Sequence, residues 1–120
     1  MKRSRVNDIL ADGADFFAKH GWTVPPFGAW TPQEMRSDTA AHIRERRLGW
    51  DITDFGQGKF DTLGLFLFTM RNGDLSDMGQ QGAMLYAEKL MISRQDQLSP
   101  MHRHVLKTED IINRGGATLV

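Results

Sequence analysis

Cysteine is absent from this chain of 120 residues. Its absence excludes disulfide bonds and thiolate metal ligands, and leaves the redox compartment open, with the cytoplasm as the default. A charge excess is lacking too, since 15 basic and 15 acidic side chains cancel. Without one there is no general field to attract nucleic acid or an anionic membrane, so we expect neither as a partner. No long apolar run follows the charged start, so we expect no signal peptide or membrane span.

The remaining composition is typical of one small domain. Hydrophobic residues make up 40% of the chain and charged residues 25%. This balance supplies enough apolar surface for a core and predicts a globular protein that folds rather than a disordered one.

Two helices are predicted in the N-terminal part of the chain. From Ser4 to His20, apolar residues recur at helical spacing, and Gly21 follows where a helix C-terminal glycine is expected. Thr31 and Glu34 form a Thr-x-x-Glu capping box, with proline at the first helical position. The second helix is therefore predicted to begin there and to run to about Arg47.

After the second helix the composition becomes punctuated by glycine and typical of strands. Thr62–Arg71 is a nearly continuous apolar run that ends at the turn pair Asn72-Gly73, so it predicts a buried strand. Further strands are predicted over Met84–Ser93, Leu98–Val105 and from Ala117 to Val120. Helices followed by a series of strands favour a mainly β fold, a sandwich or a barrel, with N-terminal α-helices as an extension.

The pattern with the clearest chemistry is a pair of histidines followed by a carboxylate. His102 and His104, two of the four histidines, lie two residues apart, where a strand would aim both imidazoles at the same side. Glu109 can reach them if the chain bends near residues 106–108. Neutral imidazole and carboxylate suit Mn²⁺, Fe²⁺, Co²⁺, Ni²⁺ or Zn²⁺. The alternative is that both histidines are exposed polar residues on a half-solvated strand.

The spacing of these residues resembles the first motif of the cupin superfamily. That motif reads His-x-His, four residues, Glu, six residues, Gly, and is carried here by His102, His104, Glu109 and Gly116. Cupins usually have glycine six residues before the first histidine, where this chain has Asp96. Aspartate tolerates the left-handed backbone conformation better than most other residues, so the turn can still form.

A closer resemblance extends over essentially the whole chain. Six segments, in order, are similar to the D-lyxose isomerase family of cupin-type sugar ketol-isomerases: Met1–Ser4, Pro25–Phe27, Leu48–Gly56, Phe68–Gly73, Tyr86–Lys89 and Glu109–Gly116. The resemblance implies a cupin (jelly-roll) barrel, with residues 48–120 as its first part and residues 1–47 as a helical extension. It also implies a homodimer that interconverts D-lyxose and D-xylulose and often accepts D-mannose.

The same resemblance implies roles for individual residues. His102, His104 and Glu109 would hold a divalent metal, Mn²⁺ or a similar ion, which binds neighbouring oxygens of the sugar and stabilises the charge that develops as an enediol forms. Lys89 and Lys107 would contact substrate or help as acid and base, since a nearby cation favours neutral lysine. The alternative for each lysine is the solvated end of a strand. Trp50 is a candidate for stacking on the sugar, with a core position as its alternative.

The second cupin motif, which supplies a fourth ligand histidine, is missing from the sequence. Only four residues follow Gly116, and no histidine follows His104. We therefore expect an N-terminal fragment that is inactive alone. Two alternatives remain: a non-catalytic cupin that binds a metal or a sugar, and, less favoured, a cupin oxygenase that uses Fe²⁺.

Overall fold

The computed structural model describes residues 1–120, in which one long helix packs on a three-stranded antiparallel sheet. The helices are α1 (Arg3–Lys19) and α2 (Ala41–Glu45), and the strands are β1 (Gly49–Thr53), β2 (Leu65–Asn72) and β3 (Ala87–Ile92). Short 3-10 helices lie at Pro26–Ala29, Glu34–Arg36, Asp38–Ala40 and Leu75–Asp77. None of the helices combines the length and the apolar character needed to cross a membrane.

The first predicted helix is confirmed as α1. Its buried residues are Ile9, Gly13 and Phe17, four positions apart, so they form one stripe along the helix. The helix lays this stripe on the sheet, where Phe17 packs 6.0 Å from Phe66, measured between ring centroids. The local spacing of apolar residues was therefore sufficient to predict this element.

Strand β2 lies in the middle of the sheet, and one of its faces forms the core with α1. Phe68 pairs with Trp50 of β1 on one side and with Leu90 of β3 on the other. Phe68 is fully buried, which stabilises the fold by about 2–3 kcal/mol. The buried core consists of Ile9, Phe17, Phe66, Phe68, Leu90 and Ile92. The predictions of a buried strand over Thr62–Arg71 and of a second over Met84–Ser93 are confirmed as β2 and β3.

The opposite face of the sheet carries a different set of side chains. Leu67 and Thr69 of β2 alternate with the core phenylalanines, and both are buried. Their partners across the sheet include Asp51 and Lys89, both exposed. This face therefore combines apolar and charged groups, in contrast to the aromatic face against α1.

The second predicted helix is wrong beyond its first turn. The capping box forms, since the N–H of Thr31 donates to Oε2 of Glu34 at 2.7 Å and the N–H of Glu34 donates to Oγ1 of Thr31 at 3.2 Å. The turn stops at Arg36, and Ser37 is extended. The guanidinium of Arg44 donates to the carbonyl of Ser37 at 2.7 Å, so tertiary bonds replace the helical ones. Two 3-10 turns and the short α2 stand in place of one helix.

Glu34 makes this cap dependent on pH. Hydrogen bonds from the N–H and then the hydroxyl of Thr31 hold the pKa of Glu34 below its ordinary value, since they favour the carboxylate. A lowered pKa means that the stabilisation is complete at neutral pH and is lost as the pH falls through the folded-state pKa. We expect Glu34→Ala to lower the urea midpoint at pH 7, with the difference from the parent protein shrinking as the pH falls below the ordinary glutamate pKa of about 4.3. The matched control is Glu45→Ala, at an exposed carboxylate without a hydrogen-bond partner. If Glu34→Ala lowered the urea midpoint equally at neutral and at acid pH, the result would contradict the cap.

The predicted strands over Leu98–Val105 and from Ala117 to Val120 are wrong, since residues 99–120 contain neither helix nor strand. Leu98 forms one isolated parallel bridge with Leu63, and no further pair extends it into a strand. Pro100 follows, which has no N–H to continue it. The order of helices and then antiparallel strands agrees with the prediction, while closure into a cupin barrel stays a prediction.

Candidate metal centre

His102, His104 and Glu109 come together on the irregular segment that follows Leu98. One possible ligand atom from each residue lies within 4.8 Å of the other two. The closest pair is Nε2 of His104 and Oε2 of Glu109, at 2.8 Å. The two imidazole rings meet edge to face, with centroids 4.9 Å apart. All three residues are exposed.

The backbone brings the carboxylate back to the imidazoles by a bend. The chain bends at Val105 and Leu106, at the start of the stretch where the sequence required a change of direction. The convergence therefore does not need the strand that was predicted for the histidines. The sequence reasoning was correct about which side chains meet and wrong about the secondary structure that brings them together.

A hydrogen bond fixes which nitrogen of His102 is available. Nδ1 of His102 lies 2.9 Å from the carbonyl oxygen of Pro100, which can only accept, so Nδ1 carries the proton. The lone pair of Nε2 is then free to bind a metal ion. A backbone carbonyl on the second nitrogen is the usual way in which proteins orient a ligand histidine.

One pair of atoms in this cluster has the spacing that a divalent first-row ion requires. Metal bonds to imidazole nitrogen and carboxylate oxygen are about 2.1 Å long, so adjacent ligand atoms in an octahedral site are about 3 Å apart. The distance of 2.8 Å between Nε2 of His104 and Oε2 of Glu109 matches such an edge. Neutral imidazole together with carboxylate is also a donor set that these ions prefer.

The charge on Glu109 is maintained by its neighbours. Partial desolvation raises the pKa of Glu109, but the positive charge and hydrogen bond of Lys107, followed by those of His104, outweigh it and hold the pKa below its ordinary value. Nζ of Lys107 lies 3.4 Å from Oε1 of Glu109. Glu109 is therefore an anion at neutral pH, as a metal ligand must be.

Comparison with known proteins assigns the chain to a family. The family model for D-lyxose isomerase matches residues 1–120. The chain belongs to the D-lyxose isomerase family. It is 47% identical over 123 residues to the D-lyxose/D-mannose isomerase of Escherichia coli O157:H7, and 45% identical over 123 residues to that of Serratia proteamaculans. Each match covers 100% of this chain and 53% of the relative, so the chain spans about half the length of the curated relatives that it matches.

The two lysines that the resemblance to D-lyxose isomerases singled out lie in different surroundings. We call His102, His104 and Glu109 the triad. Lys107 contacts this triad through Glu109. Lys89 is exposed on β3 opposite Thr69, on the face of the sheet away from the aromatic core, and no hydrogen bond or ion pair joins it to the triad. The structure therefore brings one of the two lysines to the site.

Trp50 lies in the aromatic core. Its ring packs 4.6 Å from that of Phe68, measured between centroids, and its Nε1 donates to the carbonyl of Gly28 at 2.7 Å. A satisfied indole N–H and contacts on several rings favour the core interpretation. A sugar contact for this tryptophan in a D-lyxose isomerase stays a prediction.

Sequence reasoning missed Gln97, which fixes the base of the ligand-bearing segment. The Gln97 side chain is buried; it donates to the carbonyl of Phe60 at 2.7 Å and accepts from the N–H of Arg94 at 3.1 Å. It therefore joins two stretches of chain just before the histidines. A single glutamine between Asp96 and Leu98 has no pattern from which this role could be predicted.

Asp96 confirms the expectation for the glycine position of the cupin motif. Its φ is 58°, in the left-handed region that glycine usually occupies. We expect Asp96→Val to lower the free energy of unfolding by about 1–2 kcal/mol, because a β-branched residue is strained there. Asp96→Gly, the matched variant, should leave it unchanged or raise it. Urea denaturation measures both, and equal losses would show that the side chain rather than the backbone conformation matters.

Proposed function

We propose that the protein is a metal-dependent aldose-ketose isomerase that interconverts D-lyxose and D-xylulose, with D-mannose and D-fructose as a second pair. The observation that carries this proposal is the convergence of His102, His104 and Glu109 within 4.8 Å in a member of the D-lyxose isomerase family. The two relatives are named for D-lyxose and D-mannose, and the ketoses are the products that isomerisation of these sugars gives. A cupin barrel and a homodimer, which the resemblance implies, belong to the same proposal, and so does a cytoplasmic location, the default for a chain without cysteine.

The chain's own residues would hold the ion. His102 offers Nε2, because the carbonyl of Pro100 holds its Nδ1 proton. His104 offers Nε2 and Glu109 its carboxylate, already oriented towards each other. Three protein ligands leave open positions for the two neighbouring oxygens of a sugar. When bound, Mn²⁺, or Co²⁺, Fe²⁺, Ni²⁺ or Zn²⁺, would polarise those oxygens and stabilise negative charge as a proton moves between the carbons.

Lys107 is the side chain best placed to act beside the ligands. Its Nζ holds Oε1 of Glu109 at 3.4 Å, which leaves Oε2 directed at His104. We assign Lys107 to substrate contact and to acid-base help, since its ammonium group can donate to a sugar oxygen. Lys89 has the same proposed role, which requires the barrel to close over the sheet face on which it lies.

Metal dependence of sugar turnover by the full-length protein tests the proposal. The protein is stripped with a chelator and incubated with D-lyxose and with D-mannose, with and without Mn²⁺. We expect D-xylulose and D-fructose to form only when the ion is restored, and the 120-residue chain alone to give neither. Absence of both products with each of the five ions would contradict the proposal.

A second candidate is a non-catalytic cupin that binds a metal or a sugar. It is favoured by one observation, that the structure brings only one of the two candidate acid-base lysines, Lys107, to the three proposed ligands. Calorimetry separates the two functions, because sugar binding by the full-length protein without product formation supports the second and excludes the first.

A further inference from the structure

The segment that carries the three proposed ligands lacks polar contacts with the rest of the protein. No hydrogen bond or ion pair connects residues 99–120 with residues 1–98. We call residues 99–120 the ligand segment. Hydrogen bonds cannot account for its position on the molecule, so other contacts must hold it.

The C-terminal end of α1 offers a platform of two rings. Gly21 has a φ of 75°, which turns the chain so that the N–H of Trp22 donates to the carbonyl of Phe17 at 2.9 Å. The imidazole of His20 stacks on the ring of Phe16 with centroids 4.1 Å apart. Both rings of the platform, His20 and Trp22, are thereby fixed by α1 itself.

A turn of the ligand segment lies on this platform. Oδ1 of Asn113 accepts from the N–H of Gly115 at 3.1 Å, and Nδ2 of Asn113 donates to the carbonyl of Ala117 at 3.0 Å. The turn places the guanidinium of Arg114 over the ring of Trp22, with Cζ 5.9 Å from the centroid. Gly115 approaches His20 so closely that a Cβ atom on it would lie 3.4 Å from Cδ2 of the imidazole.

We propose that Arg114 is a positioning residue for the metal ligands, because its contact with Trp22 anchors the ligand segment to α1. This inference rests on the proposed function. Arg114 lies five positions after Glu109 in the sequence, a reach of at most about 17 Å. Anchoring one end of so short a tether restricts the volume that Glu109 can explore. As that volume shrinks, the fraction of molecules in which Glu109 is placed to bind the ion rises.

The test compares variants of the full-length protein by two measurements. Arg114→Ala removes the cation, Arg114→Lys retains it, and Arg36→Ala removes an exposed arginine that makes no side-chain hydrogen bond or ion pair. Calorimetry gives the Mn²⁺ dissociation constant, and NMR relaxation without metal gives the backbone order parameters of residues 101–110, which report how far the segment moves. A cation over an aromatic ring at an exposed site corresponds to about a two- to fivefold change in affinity.

We expect Arg114→Ala to weaken Mn²⁺ binding two- to fivefold and to lower the order parameters of residues 101–110, with Arg114→Lys near the parent value and Arg36→Ala unchanged. Trp22→Leu should act like Arg114→Ala, and the double variant should be no weaker than either single variant, since both remove one contact. Equal order parameters in Arg114→Ala and Arg36→Ala overturn the anchor. If the parent protein binds no Mn²⁺, the metal site fails, and the order parameters still decide the anchor independently.

Discussion

His104→Ala is expected to weaken Mn²⁺ binding by the full-length protein more than about 100-fold. Loss of an outer hydrogen-bond partner of a ligand already costs about 10- to 100-fold in affinity, and His104 is proposed to be a ligand itself. The variant also removes the group that faces Oε2 of Glu109 at 2.8 Å. Formation of D-xylulose from D-lyxose should fall at least in parallel, because the ion would stabilise the charge that develops during turnover.

Calorimetry on the chelator-treated protein measures this effect. The matched control is His42→Ala, at an exposed histidine of α2 that makes no side-chain hydrogen bond or ion pair; it should bind Mn²⁺ like the parent. His102→Ala should resemble His104→Ala. A His104→Ala protein that binds Mn²⁺ as tightly as His42→Ala would show that the triad is a surface cluster and not the metal centre.

Gly13→Ala is expected to lower the free energy of unfolding by about 2 kcal/mol, although alanine is the better helix former. A Cβ atom on Gly13 would lie 2.2 Å from Cζ of Phe66. Phe66 is buried in the core, so its ring has little room to move. Overpacking a core costs about 1–3 kcal/mol, and a contact this short belongs at or above the upper end. The helix propensity of alanine offsets about 1 kcal/mol of that cost.

Two further variants isolate the clash. Ala11→Gly, at an exposed position of the same helix, should lose about 1 kcal/mol, so the two opposite substitutions are both expected to destabilise. Phe66→Leu should make Gly13→Ala less costly, because the smaller side chain vacates the contact, and a double-mutant cycle measures that coupling. A Gly13→Ala protein more stable than the parent in urea would contradict the close approach of α1 to β2.

Local signals predicted α1, β2 and β3 because each depends on the spacing of its own apolar residues. The prediction of the second helix was wrong for a different reason. The guanidinium of Arg44 donates to the carbonyl of Ser37, which a continuing helix would have used for its own backbone bonds. No local pattern shows that a side chain several residues ahead will capture a carbonyl. The turn at Asp96 was predictable because the left-handed conformation belongs to a short list of residues.

The candidate site was predictable in its members and not in its surroundings. His102, His104 and Glu109 are close in sequence, so their convergence needs only one bend. Lys107 is close for the same reason. The places of Trp50 and Lys89 depend on the register in which the strands pair, which decides the face on which each side chain lies. Contacts such as Arg114 with Trp22 join the two ends of the chain and leave no trace in either local sequence.

The bend at Val105 and Leu106 has a consequence for assembly. Closing a loop costs entropy that grows with its length, and all three proposed donors lie within residues 102–109. An ion bound there would close only a short loop, at small entropic cost. Capture of such an ion would thus not have to wait for the slower pairing of the strands, and a nascent chain could bind one there while the rest of the fold is still being built.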